Sequence, residues 1–241
     1  MKRAIVIGAS SGIGREVSRL LIKDGWSLGV MARRTELLMS LRAECPERVC
    51  AMTADVTAAD AIEKFRELIN DTGGMDLFFY AAGTGRYGVC VDAEVEMRTV
   101  RTNVMAFTRM IDEAYAYMAV NNGGHIAVIS SIAGTKGLGA APAYSASKAY
   151  QSMYIQALEQ QARMLRLPII FTDIRPGFVD TPLLAGSKYP MLMDVRDVAG
   201  DIINAVAKKR HVRVIDWRYR ILTAAWRMLP SSLWRRMTWV R

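Results

Sequence analysis

Short apolar runs alternate along this chain with longer stretches of helical periodicity. The runs Arg3–Ile7, Ser27–Ala32, Arg48–Thr53, Met75–Tyr80, Gly124–Ile129, Leu167–Ile174 and His211–Ile215 are rich in β-branched or aromatic side chains. They read as buried strands. Between them lie amphipathic segments. Arg15–Lys23 turns Val17, Leu20, Leu21 and Ile22 toward a core, and residues 58–71 do the same with Ile62, Phe65, Leu68 and Ile69. Residues 94–121, 143–165 and 194–208 continue the pattern. Strand and helix in regular alternation predict an α/β fold, a doubly wound parallel sheet of about seven strands with helices on both faces. Ligands of such sheets bind beyond the carboxyl ends of the strands, where the strand order switches.

Composition adds one surprise. The chain has 241 residues, 51% apolar and 23% charged, as expected of a globular protein. Its net charge of +9 is not spread evenly: residues 208–241 hold ten Lys/Arg and one acid, Asp216, and the remainder is neutral. Trp217, Trp226, Trp234 and Trp239, four of the five tryptophans, lie in the same stretch. The expected organisation is therefore a body over residues 1–215 and a basic, Trp-rich tail over 216–241. Cys45, Cys50 and Cys90 form no disulfide framework, and the two histidines, His125 and His211, are too scattered for a metal site. No apolar run approaches the ~18 residues of a spanning helix, and Met1-Lys2-Arg3 precedes too short an apolar run for a signal peptide. A cytoplasmic location is expected.

The candidate chemistry sits at the predicted strand ends. Gly8-Ala-Ser10-Ser11-Gly12-Ile13-Gly14 follows the first strand and opens the first helix. Glycines let the backbone approach phosphates, and a helix N-terminus offers N–H groups and partial positive charge, so this is a Rossmann-type dinucleotide turn. The second strand ends at Arg33-Arg34 with no acid. Arginine there accommodates a ribose 2′-phosphate, which favours NADP(H) over NAD. Asp55-Val56 follows the third strand, where a carboxylate can accept from an adenine amino group, and Ala82-Gly83 follows the fourth. Tyr144 and Lys148, four apart, share a helical face. An ammonium near a phenol lowers a pKa that is ordinarily ~10, which suits proton transfer to or from an oxygen. Ser131 lies at the end of the fifth strand, Asn103 within a mostly apolar helix, and Pro176-Gly177 at the end of the sixth.

Taken together, these residues resemble the short-chain dehydrogenase/reductase family over about residues 1–215. Gly8-x-x-x-Gly12-Ile13-Gly14 looks like its cofactor loop, and Tyr144-x-x-x-Lys148, thirteen residues after Ser131, looks like its catalytic signature. Asn103 falls at the family's fourth catalytic position, and Pro176-Gly177 with Val179 and Thr181 resembles the segment that meets the nicotinamide. The resemblance implies reduction of a ketone or aldehyde with NADPH, in a homodimer or homotetramer. Tyr144 would be the proton donor, Lys148 would lower its pKa and hold the ribose, Ser131 would bind the carbonyl oxygen, and Asn103 would hold a relay water. The pocket is expected under residues 178–193, with Phe178, Leu183, Leu184, Met191 and Met193 making it apolar and Tyr87 across from them. The substrate class is thus a hydrophobic carbonyl compound. A 3-oxoacyl-carrier-protein reductase and a non-catalytic NADP(H)-binding scaffold are the alternatives. Two features depart from the family: Tyr80-Ala81 stands in place of the usual Asn-Asn, and a glycine-free tail follows Asp216.

The tail reads as one or two amphipathic helices broken near Pro230. Ile221, Leu222, Ala225, Trp226 and Leu229 make one apolar stripe, and Leu233, Trp234, Met237 and Val240 a second, with arginines beside both. That pattern suits a helix lying on anionic lipid. It equally suits a stripe docked on the body or on a second subunit. Nucleic acid is not an expected partner, because the elements form no nucleic-acid-binding fold.

Overall fold

A computed structural model of the chain describes residues 2–88, 90–184 and 189–238. In chain order the elements are β1 (Arg3–Ile7), α1 (Gly12–Lys23), β2 (Ser27–Ala32), α2 (Thr35–Arg42), β3 (Val49–Thr53), α3 (Ala61–Asp71) and β4 (Leu77–Tyr80). Then come α4 (Ala93–Val100), a π-helical segment (Arg101–Ala106), α5 (Phe107–Val120), β5 (Gly124–Ile129) and α6 (Pro142–Met164). The chain continues with β6 (Ile169–Pro176), α7 (Val195–Ala207), β7 (Val212–Ile215), α8 (Trp217–Met228) and α9 (Ser231–Trp234).

All seven strands are parallel, in the order β3-β2-β1-β4-β5-β6-β7. The order reverses between β1 and β4, so their carboxyl ends flank the crevice at the switch point. Side chains alternate across each strand. Val6, Leu28, Leu77 and Phe79 therefore join α1 and α7 in one core layer, with Val17, Leu21, Val198 and Ile202. Ile5, Ile7, Phe78 and Tyr80 join α3, α5 and α6 in the other, with Phe65, Phe107, Met110 and Ile155. Burial of each such side chain stabilises by roughly 1.5–3 kcal/mol. Tyr80, which replaces an expected amide, is fully buried and packs edge-on against Phe107 with ring centroids 5.3 Å apart.

Two expectations change. The helix anticipated over 94–121 is broken by π-helical turns at Arg101–Ala106, which carry Asn103; such turns widen the helix and concentrate at functional sites. The tail docks on the body with only part of its anticipated stripe. Tyr219 and Thr223 of α8 are buried, Leu222 and Trp226 are half-buried, and Ile221 and Ala225 face outward. The reason is geometric. Residues three and four apart share a face, so positions 219, 222, 223 and 226 form the inner surface and 217, 221 and 228 the opposite one. In the second stripe Trp234 is buried and donates from Nε1 to the Gly137 carbonyl at 2.8 Å, Leu233 is exposed, and Val240 lies outside the described residues. Lys136 Nζ adds a 3.0 Å bond to the Leu229 carbonyl. Among the described residues no helix is long and apolar enough to cross a membrane.

Candidate active site

The turn after β1 is built for close backbone approach. Gly8 has φ +89°, and a Cβ there would stand 2.7 Å from the Ala82 nitrogen. A Cβ on Gly14 would stand 2.3 Å from the Gly8 carbonyl oxygen. Larger residues would push α1 away from β1 and β4. The first-turn N–H groups of α1, which have no intrahelical acceptors, sit at this turn. Arg34 reaches across it: Nη2 donates to Ser10 Oγ at 2.9 Å and also to Ser11 Oγ. Arg33 is exposed, with Nη1 3.8 Å from Asp55 Oδ2. Asp55 Oδ1 accepts from the Thr57 amide at 2.8 Å and from its hydroxyl at 2.7 Å. A glycine-lined turn at a helix N-terminus, with a guanidinium across from it, fits a dinucleotide phosphate.

From this turn one cavity of about 850 Å³ runs over the strand ends to the tail. Every residue expected at the site lines it except Asn103 and Met193. Gly8, Ser10, Ser11, Gly12, Ile13, Gly14, Arg33, Arg34, Asp55 and Val56 surround one end. Ala82, Gly83, Ser131, Tyr144, Lys148, Pro176, Gly177, Val179 and Thr181 follow along the sheet edge. Tyr87, Phe178, Leu183, Leu184 and Met191 surround the other end. Met193 is not there; it pairs with Val179 in a short bridge and is buried in the core, so it braces the loop instead of lining the pocket.

At the centre, Ser131 is held in extended backbone, and its Oγ accepts from the Ala133 amide at 3.1 Å. Lys148 is buried, 5.8 Å from the centre of the Tyr144 ring. Its Nζ donates to the Ile129 carbonyl and to Gln151 Oε1, both at 2.9 Å. Gln151 Nε2 in turn donates to the Asn103 carbonyl at 2.9 Å. The Asn103 side chain is itself engaged. Its Oδ1 accepts from the Thr84 amide at 2.9 Å, and its Nδ2 donates to the Thr84 carbonyl at 2.7 Å and to Ser147 Oγ at 3.0 Å. The described link from Asn103 to Lys148 thus runs through the Gln151 amide.

Burial lowers the pKa of Lys148 to about 8, with Asp173 opposing the shift. Burial raises that of Tyr144, and a hydrogen bond with Ser131 opposes the rise. The net direction at Tyr144 is thus upward, opposite to the effect expected of Lys148. The ammonium is hydrogen-bonded to Ile129 and Gln151, and loss of hydration dominates at the phenol. Asp173 is itself buried, paired with Arg175 at 2.6 Å and accepting from the Ser130 hydroxyl.

Several lining residues had no clear signal in the sequence. A Cβ on Gly85 would stand 2.3 Å from Tyr144 Cδ2, so only glycine lets the ring lie there. Tyr189 stacks on Phe178 at 4.3 Å, and Tyr87 lies 5.8 Å from Tyr189 and 6.5 Å from Tyr144. The tail supplies a wall: Tyr219, Leu222 and Trp226 line the same cavity. Tyr219 fixes the loop as well, since its hydroxyl accepts from the Phe178 amide at 3.2 Å and donates toward the Met191 carbonyl at 3.0 Å. Only the α8 periodicity hinted at these contacts.

A family profile described as short chain dehydrogenase matches residues 2–190. The chain is 32% identical over 242 residues to an uncharacterized oxidoreductase of Myxococcus xanthus, covering 96% of this chain and 94% of that one. It is 30% identical over 254 residues to an uncharacterized oxidoreductase of Mycobacterium tuberculosis, covering 98% and 96%. An uncharacterized oxidoreductase of Staphylococcus epidermidis is 26% identical over 218 residues, covering 88% of this chain and 94% of that protein.

Proposed function

The chain belongs to the short-chain dehydrogenase family, whose members use a nicotinamide cofactor, and we propose that it is an NADP(H)-dependent reductase of hydrophobic ketones or aldehydes. The reverse reaction would oxidise the corresponding alcohol. The observation that carries this reading is the content of that one continuous cavity: Arg34 over the glycine turn at one end, Tyr144 and Ser131 in the middle, aromatic and aliphatic side chains at the other.

When bound, the cofactor supplies the hydride. The chain's own residues manage the oxygen. Ser131 would hydrogen-bond the substrate carbonyl and stabilise charge growing on it. Tyr144 would deliver the proton, and its raised pKa keeps the phenol protonated for that role. Lys148, held by Ile129 and Gln151, places a positive charge beneath the ring. Arg34 with Ser10 and Ser11 would bind a 2′-phosphate, the basis for NADP(H) over NAD(H). Tyr87, Phe178, Tyr189 and Trp226 exclude water and select an apolar carbonyl compound.

Three unpaired cysteines fit a reducing compartment, and we place the enzyme in the cytoplasm. Exposed Met97, Met153 and Met164 on α4 and α6 favour a homo-oligomer, which analytical ultracentrifugation tests. NADPH oxidation against a panel of ketones, aldehydes, quinones and acyl thioesters tests the activity. Turnover of apolar ketones with NADPH preferred is the expected result. Turnover confined to acyl groups on an acidic carrier protein would make it a carrier-dependent reductase. NADPH binding with no turnover across the panel would make it a nucleotide-binding scaffold.

A further inference from the structure

α8 has two apolar faces, and only one is covered. The inner face packs on the body through Tyr219, Leu222, Thr223 and Trp226. The outer face carries Trp217, Ile221 and Met228, which are 67%, 63% and 85% exposed. Positions 217, 221 and 228 fall within about half a right angle of one another around a helix, so they form one continuous stripe. A solvent-facing helix surface is ordinarily polar. Leu233 of α9 is also 50% exposed.

Arginines border this stripe. Arg220 and Arg227 lie along one flank of α8, and Arg235 and Arg236 follow α9; all four are exposed. Residues 217–238 contain five arginines and no acid. Arg218 is paired with Asp216 at 2.6 Å, and among the described residues the other four have no acidic partner. We propose that the outer face of α8 and α9 docks on an anionic lipid surface, with α8 lying flat, its apolar stripe among the acyl chains and its arginines at the headgroups.

Charge decides the occupant. A second copy meeting this face across a two-fold axis would set arginines against arginines with no acid to offset them. A lipid surface offers apolar and anionic groups together. Leu222 and Trp226 on the inner face of the same helix line the cavity. A hydrophobic substrate dissolved in the bilayer would therefore lie about one helix diameter from the cavity wall. This delivery rests on the reductase reading; the docking does not.

Co-sedimentation of the full chain with phosphatidylcholine vesicles, with and without phosphatidylserine, tests the docking without substrate. Binding is expected to be at least about tenfold tighter to the anionic vesicles and to weaken with salt. The triple variant Trp217→Glu, Ile221→Glu, Met228→Glu should lose that binding while reducing a water-soluble ketone, without vesicles, at the parent rate. Arg220→Glu with Arg227→Glu should retain the stripe and lose the anionic preference. Binding to neither vesicle, or equally to both at all salt concentrations, overturns the proposal. So does a triple variant that converts a dimer to a monomer while vesicle binding persists. Loss of turnover in the parent protein with vesicle binding intact would count against the reductase reading alone.

Discussion

The ring of Tyr219 occupies the space a side chain at Gly177 would need, since a Cβ on Gly177 would stand 2.2 Å from Tyr219 Cε2. The two residues join the end of β6 to the tail, and the Tyr219 hydroxyl then ties down the loop after Phe178. Tyr219→Ala removes a fully buried aromatic ring and is expected to destabilise the fold by about 3–5 kcal/mol. Tyr219→Phe keeps the ring and loses the hydroxyl bonds, about 1 kcal/mol net. Urea unfolding checks both. In Tyr219→Phe the substrate KM should rise severalfold with the KM for NADPH unchanged.

Tyr144→Phe should lower kcat by about 10²–10⁴-fold. NADPH affinity, read by fluorescence titration, should stay near the parent value. Gly85→Ala should give a similar loss without touching the hydroxyl, because the methyl group displaces the ring. Full activity in Tyr144→Phe would remove the phenol from the chemistry.

Arg34→Ala is expected to raise the KM for NADPH by roughly 10–100-fold, the effect of a charge-assisted bond of about 1.5–3 kcal/mol, with the KM for NADH little changed. Arg33→Ala should have the smaller effect, since Arg33 faces solvent beside Asp55 whereas Arg34 spans the glycine turn. Equal losses with both cofactors would contradict a 2′-phosphate contact.

Ketone reduction should fall as pH rises through about 8, where Lys148 loses its charge. The sign follows from the proton: below that pH the ammonium is present and the phenol is protonated, and both states are lost only on the alkaline side. Asp173→Asn should move the fall to lower pH, because Asp173 holds the Lys148 pKa up. Gln151→Leu removes one of the two acceptors of Nζ and should move it the same way. A pH–rate profile of kcat/KM for the three proteins decides the matter.

The sheet and the central residues were legible because local rules govern them. β-branched runs alternating with amphipathic segments determine a doubly wound sheet, and the glycine turn, Arg34, Ser131, Tyr144 and Lys148 follow strand ends or helical spacing. The pocket walls were less legible. Tyr219 contacts the Phe178 amide across 41 residues, and periodicity shows that α8 is apolar without showing what covers it. Splitting the anticipated Ile221–Trp226 stripe required knowing which face meets the body. Met193 reads as one more apolar loop residue, yet its pairing with Val179 buries it in the core. The direction of the Tyr144 pKa shift follows from the burial of its ring, which spacing alone does not specify.

The sheet is complete at Ile215, and the tail's share of the pocket wall begins four residues later, at Tyr219. One part of the pocket wall is thus written in a stretch of the chain apart from the glycine turn, Ser131, Tyr144 and Lys148. Exchanges at Leu222 or Trp226 can redraw the outline of what the cavity admits while leaving the glycine turn, Ser131, Tyr144 and Lys148 as they are. Such a layout lets selection, natural or in the laboratory, diversify the compounds accepted without rebuilding the catalyst.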